Sequence, residues 1–363
     1  MPTITATMKS SGTKQHLLGT SLDEFAAFCA EHKLPKYRIK QVFEWVYRKG
    51  ACDFEAMTNL SKLLREQLAE VWSIRAGSEA RRQVASDGTI KLLIQWADEA
   101  TSECVLIPDG RRRTACISSQ VGCPVGCSFC ASGLKGLQRQ LSAGEIVEQA
   151  MRVAELCDVD HPLSNIVFMG LGEPLANYDA VLSAIRIINA DWGMNVGARK
   201  ITVSTVGLPK QIRQLARESL QINLAISLHA PDDDLRKRLI PWAKNFPIDD
   251  LISAGRYFFD TTGREVTLEY LLLGGVNDQL EHANDLVRIC RKMRCNVNLI
   301  RYNPVPGLAF ERPGATATHH FVEQLKSRGV NAHLRKSRGS DIEAACGQLR
   351  RSQPTSTVST KKS

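Results

Sequence analysis

Six short apolar runs rich in β-branched residues punctuate this 363-residue chain from residue 166 onward: Ile166–Met169, Lys200–Ser204, Ile222–Leu228, Val266–Leu273, Val297–Ile300 and Val330–Leu334. Most are separated by stretches whose apolar residues recur at helical spacing, namely Ala143–Leu156, Tyr178–Ile188, Asp249–Phe259, Glu281–Arg291 and Thr318–Ser327. A helix between two strands carries the chain back to the end it left, so strands connected this way pair in parallel. Six or more such units suit an α/β architecture, a full or partial (β/α) barrel, whose chemistry sits at the C-terminal ends of the strands. A doubly wound parallel sheet has the same periodicity and stays open as the alternative.

The earlier part of the chain has other periods. Residues 21–72 read as helices: Ser21-Leu22-Asp23-Glu24 is a capping box, Tyr37–Lys49 carries Val42, Phe43, Trp45, Val46 and Tyr47 among basic residues, and Ser61–Val71 is a third helical run. From about residue 73 to 120 the pattern turns to strands, with turn signals at Asp87-Gly88 and Asp109-Gly110, which predicts an antiparallel meander. The expected organisation is a disordered N-terminus (1–19), a small helical accessory domain (20–72), antiparallel strands leading into the core (73–120), the α/β core (121–349) and a basic disordered tail (350–363).

Composition narrows the class. With 43% apolar and 23% charged residues the chain resembles soluble globular proteins, not a disordered one. No run approaches the roughly 18 apolar residues of a spanning helix. Met1-Pro2-Thr3-Ile4-Thr5 lacks the basic-then-apolar pattern of a secretory signal, so a cytoplasmic protein is expected. The net charge of +9 permits a polyanionic partner, and a surplus of six falls between Arg328 and Ser363. A second basic knot, Arg111-Arg112-Arg113, follows the Asp109-Gly110 turn; the plain reading of such runs is a solvated face or tail. Eleven cysteines without an export signal argue against a disulfide framework and toward metal ligation or catalysis.

Three of those cysteines are grouped. Gly122-Cys123-Pro124-Val125-Gly126-Cys127-Ser128-Phe129-Cys130 follows the apolar run Ala115–Val121, which places it in a loop at a strand end. Three thiolates this close suit a soft, multiply charged centre, either zinc or an iron–sulfur cluster. Structural zinc needs a fourth protein ligand, and the nearest candidates, Cys116 and Cys157, are off the usual spacing. Other candidates fall at strand ends. Gly170-Leu171-Gly172-Glu173-Pro174 closes the Ile166–Met169 run, and Ser204-Thr205 closes the next. Ser227-Leu228-His229-Ala230 closes the one after, and Asn303-Pro304 follows Val297–Ile300.

The CxxxCxxC spacing with an aromatic before its last cysteine resembles the radical S-adenosylmethionine (SAM) superfamily. Within it, Gly122–Cys130, Met169–Leu175, Ala225–Pro231, Asn298–Pro304 and Asp341–Leu349 are together similar to the RlmN/Cfr family of RNA methyltransferases, over roughly residues 20 to 350. Tyr37–Gln41 and Met57–Ser61 fit that family's RNA-binding accessory domain. The resemblance implies a partial (β/α) barrel with one [4Fe–4S] cluster on Cys123, Cys127 and Cys130. It implies SAM held by Gly172, Glu173, Ser204, Ser227, Leu228, His229 and Asn303, with the Glu173 carboxylate taking the amino group.

The reaction so implied is methylation of C2 of adenosine in 23S rRNA and tRNA, with two SAM molecules per turnover. One methylates Cys346. The other is cleaved to a 5′-deoxyadenosyl radical that takes a hydrogen from that methyl group, and the methylene radical adds to C2. Loss of the C2 proton, with Glu103 matching the acceptor position, and attack by Cys116 would release the product and leave a Cys116–Cys346 disulfide. The implied partners are the RNA and an electron donor such as flavodoxin or ferredoxin, with no membrane and a monomeric enzyme. Arg335, Lys336 and Arg338, just before Cys346, fit phosphate contacts that position RNA without reading its sequence. One departure is Arg301-Tyr302, where the family often has Pro-Trp before Asn-Pro. The alternatives are a Cfr-like adenosine C8 methyltransferase and a non-enzymatic RNA-binding protein with a structural metal.

Overall fold

The computed structural model describes residues 14–350. Its first unit is a helical cluster clasped by a short parallel ribbon, β1 (Gln15–His16) against β2 (Trp72–Ser73). Between them run α1 (Leu22–Glu31), α2 (Tyr37–Tyr47) and α3 (Lys62–Val71). The capping box forms: the Glu24 N–H donates to Ser21 Oγ at 3.2 Å, and the Ser21 N–H donates to the Glu24 carboxylate at 2.7 Å. Phe25 meets Phe43 and Trp72 edge-to-face at the centre of this unit.

Disorder expected as far as residue 19 does not hold over residues 14–19. Leu17 and Leu18 are fully buried there, because two adjacent leucines supply the apolar surface that the Ser/Thr-rich stretch before them lacks. Residues 1–13 and 351–363, the rest of the expected disordered ends, lie outside the described residues.

A buried carboxylate ties this unit to the core. Glu148 on α4 (Ala143–Ala154) accepts from the Ala76 N–H at 2.8 Å and Arg152 Nε at 2.8 Å, and lies 3.3 Å from His16 Nε2. Gly19 abuts Gly144 so closely that a Cβ on it would stand 2.8 Å from the Gly144 nitrogen.

The core is one ten-stranded sheet. β3 (Ser78–Val84), β4 (Ile90–Gln95), β5 (Thr101–Asp109) and β6 (Arg112–Cys116) form the antiparallel meander, turning where Asp87-Gly88 and Asp109-Gly110 predict. β7 (Gln120–Gly122) and β8 (Leu137–Gln140) form a side ribbon under the cysteine loop. β6 then pairs in parallel with β9 (Asn165–Phe168), followed in order by β10 (Ile201–Thr205), β11 (Asn223–Ser227), β12 (Val266–Leu272), β13 (Cys295–Arg301) and β14 (Ala332–Arg335). The meander therefore shares one sheet with the parallel array.

Helices α5 (Tyr178–Asn189), α6 (Pro209–Ala216), α7 (Asp233–Leu239), α8 (Ile248–Thr262), α9 (Leu280–Cys290) and α10 (Ala315–Ser327) complete the βα units. Strand residues such as Ile166, Val203, Leu224, Leu268 and Val297 are fully or almost fully buried. Each contributes about 1.5–3 kcal/mol by leaving water. Among the described residues no helix is long and apolar enough to cross a membrane.

The sheet is bridged by a strap, residues 336–350, that leaves β14 at one edge and crosses to the meander at the other. Arg338 pairs with Asp109 at 3.0 Å, the Gly339 N–H donates to Asp87 at 3.1 Å, and Lys91 Nζ donates to the Glu343 carbonyl at 3.0 Å. Gly339 must be glycine: its φ is +63° and a Cβ would meet Thr89 at 2.7 Å. Arg350, expected to begin the disordered tail, is instead the last anchor, its N–H donating to Glu103 at 2.9 Å.

Candidate active site

The cysteine loop is folded by close backbone approach. Gly122 has φ +80°, and a Cβ there would lie 2.0 Å from the Gly136 carbonyl oxygen. The Ser128 N–H donates to the Leu239 carbonyl at 3.0 Å and the Ala131 N–H to the Gly347 carbonyl at 2.8 Å, which pins the loop between α7 and the strap. Cys123, Cys127 and Cys130 all line a cavity of about 160 Å³ at the C-terminal ends of the parallel strands. Among the described residues no three His, Cys, Asp or Glu side chains converge on a single-ion site. Burial pushes each thiol up, Cys123 to about 12. A bound cation would replace those protons.

The loop after β9 supplies the opposite wall. Gly172 has φ +108°, and a Cβ there would press 2.6 Å from Gln120. Glu173 is 3% exposed and accepts from the Val206 N–H at 2.7 Å and the Leu175 N–H at 3.0 Å. Burial lifts its carboxyl to about 7 even against those hydrogen bonds. A cation beside it would be favoured at neutral pH. Ser204 and Ser227 meet through their hydroxyls at 3.5 Å on the same wall.

His229, at φ +57°, accepts the Leu271 N–H on Nδ1 at 3.1 Å, so its proton is on Nε2. Burial, with the Arg236 charge, holds its pKa near 3, and the imidazole is neutral. One residue escaped the sequence reading. Glu269 is buried on β12 and lines the cavity; its Oε1 accepts from the Asn298 amide at 3.1 Å, while Oε2 has no partner among the described residues. A lone carboxylate inside the apolar run Val266–Leu273 was the available signal. The Tyr302 hydroxyl on the same lining is also without a partner among the described residues. Three thiols, two serine hydroxyls, two enclosed carboxylates and these orphaned oxygens fit a thiolate-ligated centre with a polar, cationic ligand beside it.

Two expected cofactor residues lie elsewhere. Leu228 turns its side chain into the main core, and only its backbone reaches the rim. Asn303 lines a second cavity, donating from Nδ2 to the Cys346 carbonyl at 3.4 Å, with Oδ1 unpartnered among the described residues.

That second cavity, about 360 Å³, lies between the strap and β5–β6 and is lined by Arg112, Cys116, Lys336 and Arg338. Met169, Ile300, Arg335 and Cys346 line both cavities. Arg335 was expected on the phosphate-facing surface beside Lys336. Its register opposite Ile300 on β13 turns it inward, with Nη1 3.6 Å from Met169 Sδ. There it faces Cys346, Glu269 and Cys116, whose negative forms would hold its charge in place. Burial first, and Cys346 second, push the Cys116 thiol to about 12. Glu103 lines neither cavity. It lies two residues before Val105, the partner of Cys116 across β5–β6, and so shares that face, 3.3 Å from Lys91 Nζ.

Comparison with known proteins places these features in a family. The family model described as "Ribosomal RNA large subunit methyltransferase N-terminal domain" matches residues 15–74, and that of the radical SAM superfamily matches residues 117–287. A probable dual-specificity RNA methyltransferase RlmN of Rhodopirellula baltica is 45% identical, over 97% of this chain and 96% of its own. Its counterpart in Geobacillus thermodenitrificans is 46% identical over 96% and 97%. The crystal structure of a radical SAM methyltransferase from Sphaerobacter thermophilus superposes with a TM-score of 0.91 at 46% identity, over 93% of this chain and 100% of the other.

Proposed function

The chain belongs to the RlmN family of radical SAM RNA methyltransferases, and on that premise we propose that it methylates C2 of adenosine in 23S rRNA and in tRNA, with Cys346 carrying the methyl group. One observation carries the reading: Cys346 belongs to the lining of both cavities, so a group loaded on its sulfur from one side is presented to the other. SAM is the methyl donor, and the Glu173 carboxylate would hold its ammonium. When bound, a [4Fe–4S] cluster on Cys123, Cys127 and Cys130 supplies the one-electron chemistry that adenine C2 needs, because a carbon between two ring nitrogens is too electron-poor to attack a sulfonium methyl.

The chain's own residues do the remainder. Asn303 holds the Cys346 carbonyl, and the small side chains of Ala344 and Ala345 line the cavity beside it. A target adenine unstacked from RNA would enter the second cavity. Cys116, on that cavity's wall, would attack the Cys346 sulfur: the new sulfur–sulfur bond forms as the carbon–sulfur bond breaks, its electron pair passes to the methylene carbon, and a proton taken up there completes the methyl group of the departing base. Glu103 would take the C2 proton in this scheme; it shares the face of Cys116 and would reach the base from outside the cavity lining.

The test is anaerobic incubation of the reconstituted enzyme with SAM, reductant and RNA fragments, followed by mass spectrometry of the nucleosides. 2-Methyladenosine from both rRNA and tRNA is expected; 8-methyladenosine alone would sink the C2 assignment.

A further inference from the structure

Arg236 takes no part in the chemistry above, yet it heads the largest fully buried side chains among the described residues. Its guanidinium reaches from α7 across the ends of two strands. Nε donates to the Leu228 carbonyl at 3.3 Å, Nη2 to the Val206 carbonyl at 2.5 Å and Nη1 to the Phe246 carbonyl at 3.0 Å. All three acceptors are neutral. Asp233, one turn earlier on the helix, accepts the Ile248 N–H at 2.9 Å, and its charge still acts on Arg236. An enclosed cation with neutral hydrogen-bond partners and one shared countercharge gains from further negative charge close by.

The far end of α7 meets the cysteine loop. The Leu239 carbonyl accepts from both the N–H and the hydroxyl of Ser128, the residue after Cys127. Leu235 and Leu239 belong to the apolar group packed against the three cysteines. Arg236 lies one helical turn before Leu239, so its guanidinium belongs to the same α7 segment that holds the residue after Cys127. Val206, whose carbonyl Arg236 grips, is also the residue whose N–H holds Glu173.

We infer that Arg236 is a positioning residue that pins the ends of β10 and β11 and sets a fixed positive charge behind Cys127, making the bound cluster easier to reduce. The inference rests on the reading that Cys123, Cys127 and Cys130 hold an iron–sulfur cluster. A four-iron centre with three thiolates carries net negative charge, and one added electron increases it. A fixed cation therefore stabilises the reduced form more than the oxidised one.

The test is an EPR-monitored redox titration of the holoenzyme with dithionite, with iron and acid-labile sulfide measured on every sample. Arg236→Met is expected to load the same iron as the wild type and to reach half-reduction at a more negative potential. Arg236→Lys, which keeps the charge, is expected to stay close to the wild type. A fully loaded Met variant with an unmoved midpoint overturns the inference, as do Met and Lys variants shifted alike. Should Arg236→Met fail to fold, Asp233→Asn carries the test. Its amide oxygen can still take the Ile248 N–H while the countercharge is gone, so the midpoint is expected to move to less negative values, and an unmoved one overturns the inference. Wild-type protein that takes up no iron would sink the cluster reading itself, and this inference with it.

Discussion

The cavity under the cysteine loop and the cavity beside the strap share Met169, Ile300, Arg335 and Cys346 and otherwise differ in their materials. The first is lined by buried thiols, a neutral histidine, and carboxylates raised by desolvation. The second is lined by arginines and a lysine, with Asp109 as the acid among them. A mostly apolar space strengthens every charge placed in it, which suits reactive one-electron chemistry. A cationic space suits a phosphate-bearing polymer, whose contacts must form and release. The two requirements conflict in a single pocket, and in the proposed scheme the chain divides the work around one sulfur atom.

The sharpest break of that division is Cys346→Ala. It is expected to lower RNA methylation by at least about 10³-fold while leaving reductive SAM cleavage in place, read by chromatography of 5′-deoxyadenosine and methylated nucleoside from one reaction. Methylation at wild-type rates would show that the shared sulfur does not link the cavities.

Cys116→Ala should act next. Attack on the Cys346 sulfur is lost, so product release stalls and a covalent protein–RNA adduct accumulates on a denaturing gel. A variant that turns over normally would remove Cys116 from the scheme.

The two cavities should also differ in their response to pH and to salt. SAM affinity is expected to rise about tenfold across neutral pH, because the Glu173 carboxyl titrates at about 7 and only its ionised form attracts an ammonium. Glu173→Gln should bind more weakly and lose that pH step, which equilibrium dialysis at several pH values would measure. Without ligand the sign reverses: a carboxyl raised from 4.5 to about 7 stabilises the fold below its unfolded value, and that contribution is lost as pH rises through 7.

The smallest effect belongs to the basic side. Lys336→Ala should weaken RNA binding only a few-fold and reduce the slope of log K against log salt by about one, with SAM affinity unchanged. A change in SAM affinity would mean that the cavities are not electrostatically separate.

Much of this was legible in the sequence, for identifiable reasons. The six short runs are apolar and β-branched, five of the helices are long and periodic, and the structure keeps each within a few residues: Tyr178–Ile188 became Tyr178–Asn189, and Val266–Leu273 became Val266–Leu272. Helices α6 and α7 went unseen because eight and seven residues give too little period to read. The loop of Cys123, Cys127 and Cys130 was visible because its spacing is local. Glu269 and the inward turn of Arg335 were not, because each depends on which face of a strand looks inward, and register comes from neighbouring strands. The same limit explains Leu228: it lies in a rim motif, but the face it occupies points into the core.

The strap has a consequence for the order of events in the life of each molecule. The cysteine loop and the side ribbon beneath it are specified by residue 140, whereas Cys346 follows every strand of the sheet. A chain emerging N-terminus first can shape the cluster loop while the mouth above it is still uncovered. Only afterwards does the strap swing over to Asp109, Asp87 and Glu103 and bring its sulfur to the rim. In the proposed scheme the cysteines that would hold the cluster thus precede the cysteine that would carry the methyl group, and a molecule interrupted late in synthesis would lack both that carrier and the Gly347 carbonyl that pins the cysteine loop.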